Sequence, residues 1–122
     1  MKRVLVVEDN EMNMQLVEFL LEEGGYQIVK AASGEEALAL ARRGAPVDLI
    51  LMDIHLPGVD GLSVVQELKR DERTRNVPIL ALTAHAMRGD EERALQAGCD
   101  GYLAKPISPK KVVEEVKRYL KI

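Results

Sequence analysis

Short runs of apolar residues alternate along this chain with longer segments in which apolar residues recur every three or four positions. The short runs predict five strands, at residues 4–7, 27–31, 48–53, 78–82 and 101–104. The longer segments predict five amphipathic helices, one after each strand. This strict alternation is typical of a parallel sheet with helices on both faces. Right-handed crossovers leave few topologies, and we predict a doubly wound, five-stranded α/β sheet in the order 2-1-3-4-5.

The third run is the most informative, because four apolar residues, Leu49 to Met52, lead directly into the carboxylate of Asp53. A continuous apolar run is typical of a strand buried on both faces in the middle of a parallel sheet. The run Gln27–Ala31 is less apolar and is predicted at a sheet edge. Asp53 is therefore expected at the carboxyl end of a central strand, where open α/β sheets bind ligands.

The helices carry expectations about packing. The first helix is predicted to bury a stripe formed by Met12, Leu16, Val17, Leu20 and Leu21. Ser33 and Glu36 have the spacing of a capping box at the start of the second helix. The last helix is predicted to bury Val112, Val113, Val116 and Leu120. The helix over Asp90–Ala97 has Leu95 as its only large apolar residue, so we expect it to be held loosely.

Length, charge and composition narrow the class of protein. A chain of 122 residues without a linker or repeat indicates one domain over 1–122 with no output domain. The net charge of −3, with no dominant basic patch, argues against a nucleic-acid partner. No apolar run approaches the roughly 18 residues of a membrane span, and no signal peptide is recognisable, so we expect a cytoplasmic protein without membrane contact. The single Cys99 is interpreted as a small apolar core residue.

Polar residues of complementary chemistry stand at the ends of the predicted strands, where a parallel sheet gathers them at one edge. They are Glu8, Asp9, Asp53, Thr83 and Lys105. Three neighbouring carboxylates repel one another and favour a bound cation. Hard oxygen ligands suit Mg²⁺, which also recruits phosphate oxygens. A carboxylate beside a divalent ion, an ammonium group and a hydroxyl is equipped for phosphoryl transfer through an aspartyl phosphate.

Each of these residues alone has an ordinary structural explanation. An Asp after a strand is commonly a turn residue, a Lys before Pro is commonly solvated, and Glu8 and Asp9 could stabilise the following helix through its dipole. Their coincidence at consecutive strand ends of one sheet is what favours a functional site.

The chain resembles the receiver domains of two-component response regulators over its whole length. The matching segments are Val7–Asn10, Met52–Asp53 with Pro57 and Gly61 after it, Leu82–Ala84, and Tyr102–Pro106. Three further segments are similar to those of DivK-type single-domain regulators and of receivers attached to hybrid histidine kinases: Glu8–Met14, Ala84–Arg93 and Ala97–Tyr102. The resemblance implies a CheY-like, flavodoxin-like (βα)5 fold.

The resemblance also implies a metal and a phosphorylation site. Asp53 would accept a phosphoryl group from a phosphohistidine. Asp9 would bind Mg²⁺ directly and Glu8 through water. An oxygen of Asp53 and the backbone carbonyl of His55 would complete the protein ligands.

The implied switch lies on the other side of the acceptor. Lys105 would contact the phosphoryl group, Thr83 would supply the switch hydroxyl, and Tyr102 would be the aromatic side chain that turns inward. The Lys105–Pro106 bond is expected to be cis. The phosphodonor would be a sensor histidine kinase or a histidine phosphotransfer protein. A downstream protein would bind the face formed by the fourth helix, the fifth strand and the fifth helix.

Two histidines depart from many relatives. His55 lies two residues past the acceptor, and His85 lies two residues past Thr83. They are either solvated loop side chains or residues that flank the path of water to the phosphoryl group and modulate its hydrolysis.

Three alternatives stay open at this point. The chain could be a receiver domain excised from a hybrid histidine kinase or a multidomain regulator. A phosphatase of the haloacid-dehalogenase type would need a second acid where His55 stands. An FMN-binding flavodoxin-like protein would need a phosphate loop where Glu8 and Asp9 would repel phosphate. In the favoured interpretation the protein is not an enzyme beyond its own phosphorylation from phosphodonors and its own dephosphorylation.

Overall fold

The computed structural model describes residues 2–44, 46–56, 60–83 and 89–120 of the chain. Strands and helices alternate strictly within these ranges. The strands are β1 (Arg3–Val7), β2 (Gln27–Ala31), β3 (Leu49–Asp53), β4 (Ile79–Thr83) and β5 (Gly101–Ala104). The helices are α1 (Glu11–Glu23), α2 (Gly34–Arg42), α3 (Gly61–Arg70), α4 (Asp90–Ala97) and α5 (Pro109–Leu120).

The strands form one parallel sheet in the order β2-β1-β3-β4-β5, which confirms the predicted topology. Every residue of β3 is buried, as its continuous apolar run predicted, and β2 lies at the edge. Val7 pairs with Met52, and Asp53 pairs with Leu82, so the carboxyl ends of β1, β3 and β4 are level. The residues that follow these strands therefore share one edge of the sheet.

Two apolar cores lie on opposite faces of the sheet, because successive side chains of a strand alternate between faces. Leu5 and Ile50 point into a core closed by α2, α3 and α4. Val6 and Leu51 point into a core closed by α1 and α5. Helices thus cover both faces, as a doubly wound fold requires.

The predicted stripe of α1 is partly wrong. Val17 and Leu21 are buried, Leu16 and Leu20 are half-buried, and Met12 is 80% exposed. Met12 precedes Val17 by five residues, which places it about 140° away around the helix axis. The buried face is narrower than the apolar pattern indicated, so Met12 faces solvent.

Helix α4 does not use its one large apolar residue to pack on the sheet. Leu95 is 49% exposed, whereas Ala94 and Asp90 are fully buried. These two residues are four positions apart and share one face of the helix. Helix α4 therefore packs on the sheet through a methyl group and a buried carboxylate.

Smaller features follow the sequence closely. Ser33 caps α2 and accepts a hydrogen bond from the Glu36 amide at 3.2 Å, while the Glu36 carboxylate accepts one from the Ala32 amide at 2.9 Å. Val112, Val116 and Leu120 are buried in α5, and Val113 is half-buried. The Lys105–Pro106 bond is cis, as expected. In the part of the chain that the structure describes, every helix is too short or too polar to cross a membrane.

Candidate functional site

The three carboxylates predicted at the sheet edge come together. Oxygen atoms of Glu8, Asp9 and Asp53 lie within 4.8 Å of one another. Glu8 and Asp53 are each 2% exposed, whereas Asp9 is open to solvent. Two carboxylates of the cluster are thus buried, and solvent reaches the cluster at Asp9.

Lys105 reaches this cluster from the end of β5. Its Nζ donates to Asp53 Oδ2 at 2.8 Å and to Glu8 Oε1 at 3.1 Å. Burial disfavours the ammonium group, but these two hydrogen bonds outweigh burial and raise the pKa of Lys105. The lysine therefore stays charged and compensates part of the negative charge in the cluster.

The two carboxylate oxygens of Glu8 differ in their hydrogen bonds. Its Oε1 accepts from Asn13 Nδ2 at 3.3 Å as well as from Lys105. Its Oε2 is buried and lies 3.1 Å from Lys105 Nζ as an ion pair, but it accepts no hydrogen bond of normal geometry from the residues that the structure describes. Burial raises the pKa of Glu8, Lys105 lowers it in part, and the charge of Asp53 raises it further. A buried carboxylate oxygen without a well-aligned hydrogen bond, beside two more carboxylates, is suited to a hard divalent cation such as Mg²⁺.

The backbone fixes the acceptor carboxylate. Asp53 Oδ1 accepts a hydrogen bond from the backbone amide of His55 at 2.8 Å, and Oδ2 faces Lys105. Both oxygens are thus held by donors that approach from different elements. Charge-assisted bonds of this kind are short and directional, so they fix the orientation of the carboxyl group.

Gly61 allows α3 to begin in direct contact with this segment. A Cβ atom on Gly61 would lie 2.5 Å from Ile54 Cα and 2.8 Å from the carbonyl oxygen of Asp53. Asp60 caps the helix by accepting a hydrogen bond from the Leu62 amide at 3.1 Å. Only glycine fits at this position without displacing the backbone next to Asp53. Pro57, which the sequence pattern also singled out, lies outside the described residues.

Thr83 is fully buried at the end of β4 and bonds to a residue that the sequence did not single out. Its Oγ1 donates to Asp90 Oδ2 at 2.9 Å. His55 Nε2 lies 2.7 Å from the same oxygen, and Arg93 bonds to the other. Burial opposes ionisation of Asp90, but the bonds from His55, Arg93 and Thr83 prevail and lower its pKa to about 2. Because an ionised carboxylate only accepts, the hydrogen is assigned to Nε2 of His55.

Apart from its place in the similar segment Ala84–Arg93, the only sequence signal for Asp90 was its position at the start of a helix. Acidic residues are common there because they interact favourably with the helix dipole. An interaction with the helix dipole alone does not require Asp90 to contact β4. The buried position of Asp90, which defines its role, depends on tertiary packing.

The remaining predicted residues lie outside the acidic cluster or outside the residues that the structure describes. Tyr102 is 40% exposed on β5, and a hydrogen bond with Glu91 raises its pKa. Its ring therefore faces solvent in this structure. Ala84 and His85 lie outside the described residues.

Comparison with known proteins gives consistent results. The family model "Response regulator receiver domain" matches residues 4–117. The polar-differentiation response regulator DivK of Brucella ovis is 54% identical over 119 residues, covering 98% of this chain and 96% of that protein. The chemotaxis response regulator CheY4 of Vibrio cholerae aligns with a TM-score of 0.91 at 31% identity, over 98% of each chain.

A second similar structure contains a metal. The receiver domain of a sensor histidine kinase from Pseudomonas aeruginosa aligns with a TM-score of 0.86 at 38% identity, over 99% of this chain and 98% of that one. That domain has a magnesium ion coordinated in its active-site cleft. In this chain, the three carboxylates of the acidic cluster offer oxygen ligands of the kind that Mg²⁺ prefers.

The contact at Gly61 predicts a steric effect on the site. Gly61→Ala should lower the free energy of unfolding by about 1–3 kcal/mol, because the added methyl must displace backbone atoms. Urea unfolding measures this loss, and amide chemical shifts should change at residues 53–56. Gly25→Ala is the control: its φ of +90° makes alanine costly, but a Cβ there meets nothing within 4 Å. It should lower stability without moving those amides. Unchanged shifts in Gly61→Ala would contradict the prediction.

Proposed function

Because the chain belongs to the family of response regulator receiver domains, we propose that it is a single-domain regulator whose partner binding is controlled by phosphorylation of Asp53. The observation that carries this proposal is the environment of Asp53. Its carboxylate lies at the carboxyl end of the central strand, within the acidic cluster and 2.8 Å from the ammonium nitrogen of Lys105. The domain would act in the cytoplasm, without direct contact to nucleic acid or membrane.

The proposed phosphorylation uses the residues of the cluster in distinct roles. Glu8, Asp9 and Asp53, with the backbone carbonyl of His55, would hold Mg²⁺. The ion would supply positive charge to the transferring phosphoryl group. A carboxylate oxygen of Asp53 attacks phosphorus, the bond from phosphorus to the histidine nitrogen breaks, and the nitrogen retains the electron pair. Lys105 neutralises charge on the phosphoryl oxygens as they arrive beside it.

The proposed output begins at Thr83. A charge-assisted hydrogen bond from its hydroxyl to a phosphoryl oxygen would draw the end of β4 toward Asp53. Tyr102, which faces solvent in this structure, would then turn inward. The phosphoryl group needs only to bias an existing equilibrium between two conformations by a few kcal/mol.

Two surfaces would serve the two classes of partner. The α4-β5-α5 face, where Leu95 and Tyr102 are exposed, would bind the downstream protein. Exposed Met12, with the half-buried Met14 and Ile107, would contact the phosphohistidine domain of a sensor kinase or phosphotransfer protein.

His55 and His85 are proposed to modulate hydrolysis of the aspartyl phosphate. The contact of His55 with Asp90 places its ring beside the switch residue, with part of the side chain open to solvent. A histidine there is suited to order or exclude an attacking water.

Phosphorylation should occur at Asp53 alone. Incubation with Mg²⁺ and acetyl phosphate should add one phosphoryl group to the wild-type protein, as measured by intact mass. Asp53→Asn should gain none, because the amide is not a nucleophile for this reaction. Asp60→Asn is the matched control, since asparagine also caps helices well and α3 should form normally. Phosphorylation of Asp53→Asn at the wild-type rate would contradict the assignment.

Magnesium should stabilise the fold through the acidic cluster. Millimolar Mg²⁺ should raise the melting temperature, because an ion that binds only the folded state stabilises it by mass action. Asp9→Ala should lose most of this increase. Glu11→Gln removes a nearby exposed carboxylate outside the cluster and should keep it. An undiminished response in Asp9→Ala would exclude the proposed ligand set.

Activation should change the α4-β5-α5 side more than the α1 side. Hydrogen exchange with and without beryllofluoride, a mimic of the phosphoryl group, should show altered protection between residues 84 and 102. Asp53→Asn, which lacks the acceptor, should show no change on addition of beryllofluoride. Changes confined to residues 8–15 would contradict this output surface.

A further inference from the structure

We propose that Asp90 is a positioning residue that holds the Thr83 hydroxyl in the unphosphorylated protein and competes with the phosphoryl group for it. This inference rests on the proposed function, in which Thr83 donates to the phosphorylated Asp53. It adds a second acceptor to the switch and assigns that acceptor to the first residue of α4.

The competition follows from the chemistry of a hydroxyl group. Threonine has one hydroxyl hydrogen and can donate it to one acceptor at a time. In this structure Thr83 Oγ1 gives it to Asp90 Oδ2 at 2.9 Å. The hydroxyl must leave Asp90 before it can donate to a phosphoryl oxygen. Both acceptors carry negative charge, so the switch exchanges one charge-assisted hydrogen bond for another.

The position of Asp90 explains why the exchange reaches α4. Asp90 is fully buried, it begins the helix, and Ala94 packs on the same face one turn later. When Thr83 leaves, the buried carboxylate loses a donor, which costs free energy unless its surroundings rearrange. Gly89 caps α4 without a side-chain hydrogen bond, so Asp90 is the polar anchor of this helix end. Movement of one hydroxyl would therefore change the packing of the N-terminus of α4.

The bond from His55 distinguishes this arrangement from a simple helix cap. Its Nε2 lies 2.7 Å from the same Asp90 oxygen that Thr83 uses, while its backbone amide donates to Asp53. Asp90 thus contacts the end of β4 and the segment after β3 in addition to α4. A carboxylate that served only the helix dipole would be expected at the surface, facing water.

The first test weakens the competing acceptor. Asp90→Asn keeps the shape of the side chain but makes its bond to Thr83 neutral and therefore weaker. The apparent Kd for beryllofluoride in the presence of Mg²⁺ should fall about fivefold, by calorimetric titration. Glu92→Gln is the matched control, because it makes the same change of charge in the same helical turn at an exposed position. It should leave the affinity unchanged.

The second test separates a role through Thr83 from general support of α4. Thr83→Val removes the hydroxyl and keeps the shape, so in this background Asp90→Asn should no longer alter the affinity. A merely structural role would give the same shift in both backgrounds and would overturn the inference. So would an unchanged affinity in Asp90→Asn. Melting curves check each variant, and Asp90→Ala replaces Asp90→Asn in both backgrounds if the latter is unfolded.

The same measurements show whether a failure lies in the proposed function or only in the role of Asp90. If Thr83→Val binds beryllofluoride as tightly as the wild type, Thr83 does not donate to the phosphoryl group. The premise then fails independently of Asp90. If Thr83→Val binds more weakly and Asp90→Asn has no effect in either background, only the inference about Asp90 fails.

Discussion

Mutual repulsion among three carboxylates is the constraint on which this site depends. Parallel strands of matched register bring Glu8, Asp9 and Asp53 to one edge, and two of the three are buried. Lys105 is the charge that makes this tolerable, because its ammonium group bonds to both buried carboxylates. Removing one member of a buried charge group is costly, since the others are left uncompensated. The site is therefore held together by interactions that span the chain from β1 to β5.

A second polar group, centred on Asp90, adjoins the first. His55 connects them: its backbone amide donates to Asp53, and its ring bonds to Asp90. In the first group an ammonium partner serves two carboxylates, whereas in the second one carboxylate serves three donors. The excess of acceptors in the first group suits a cation. In the second group the three donors already neutralise and satisfy the Asp90 carboxylate. That group is therefore suited to exchanging hydrogen bonds and needs no cation.

The architecture could be predicted from the sequence because its causes are local. Alternation of apolar runs and amphipathic segments is a property of neighbouring residues, and the handedness of crossovers restricts the rest. The gathering of Glu8, Asp53 and Lys105 followed directly from that topology. Residues whose position depends on packing were predicted less well. Met12 belongs to the apolar pattern yet lies outside the narrow face that α1 buries. In α4, Ala94 is buried against the sheet and the larger Leu95 is exposed.

Asp90 shows most clearly what a sequence pattern lacks. An aspartate at the start of a helix is common, and nothing in its neighbours distinguishes an exposed one from a buried one. Its burial depends on how α4 is oriented over β4, which no periodicity of the helix itself encodes. The polar partners of Asp90 come from β4 and from the segment after β3, so the site emerges only when the elements are assembled.

The contact at Gly61 has a mechanical consequence for this assembly. Because α3 begins against the backbone of Asp53 and Ile54 with no side chain between them, the flank of the acceptor toward α3 is nearly incompressible. At the end of the neighbouring strand β4, Thr83 and Asp90 are joined by a hydrogen bond that can be exchanged. The surroundings of Asp53 can therefore rearrange more easily toward α4 than toward α3. We expect strain introduced at Asp53 to be relieved toward α4, because α3 leaves no room for movement.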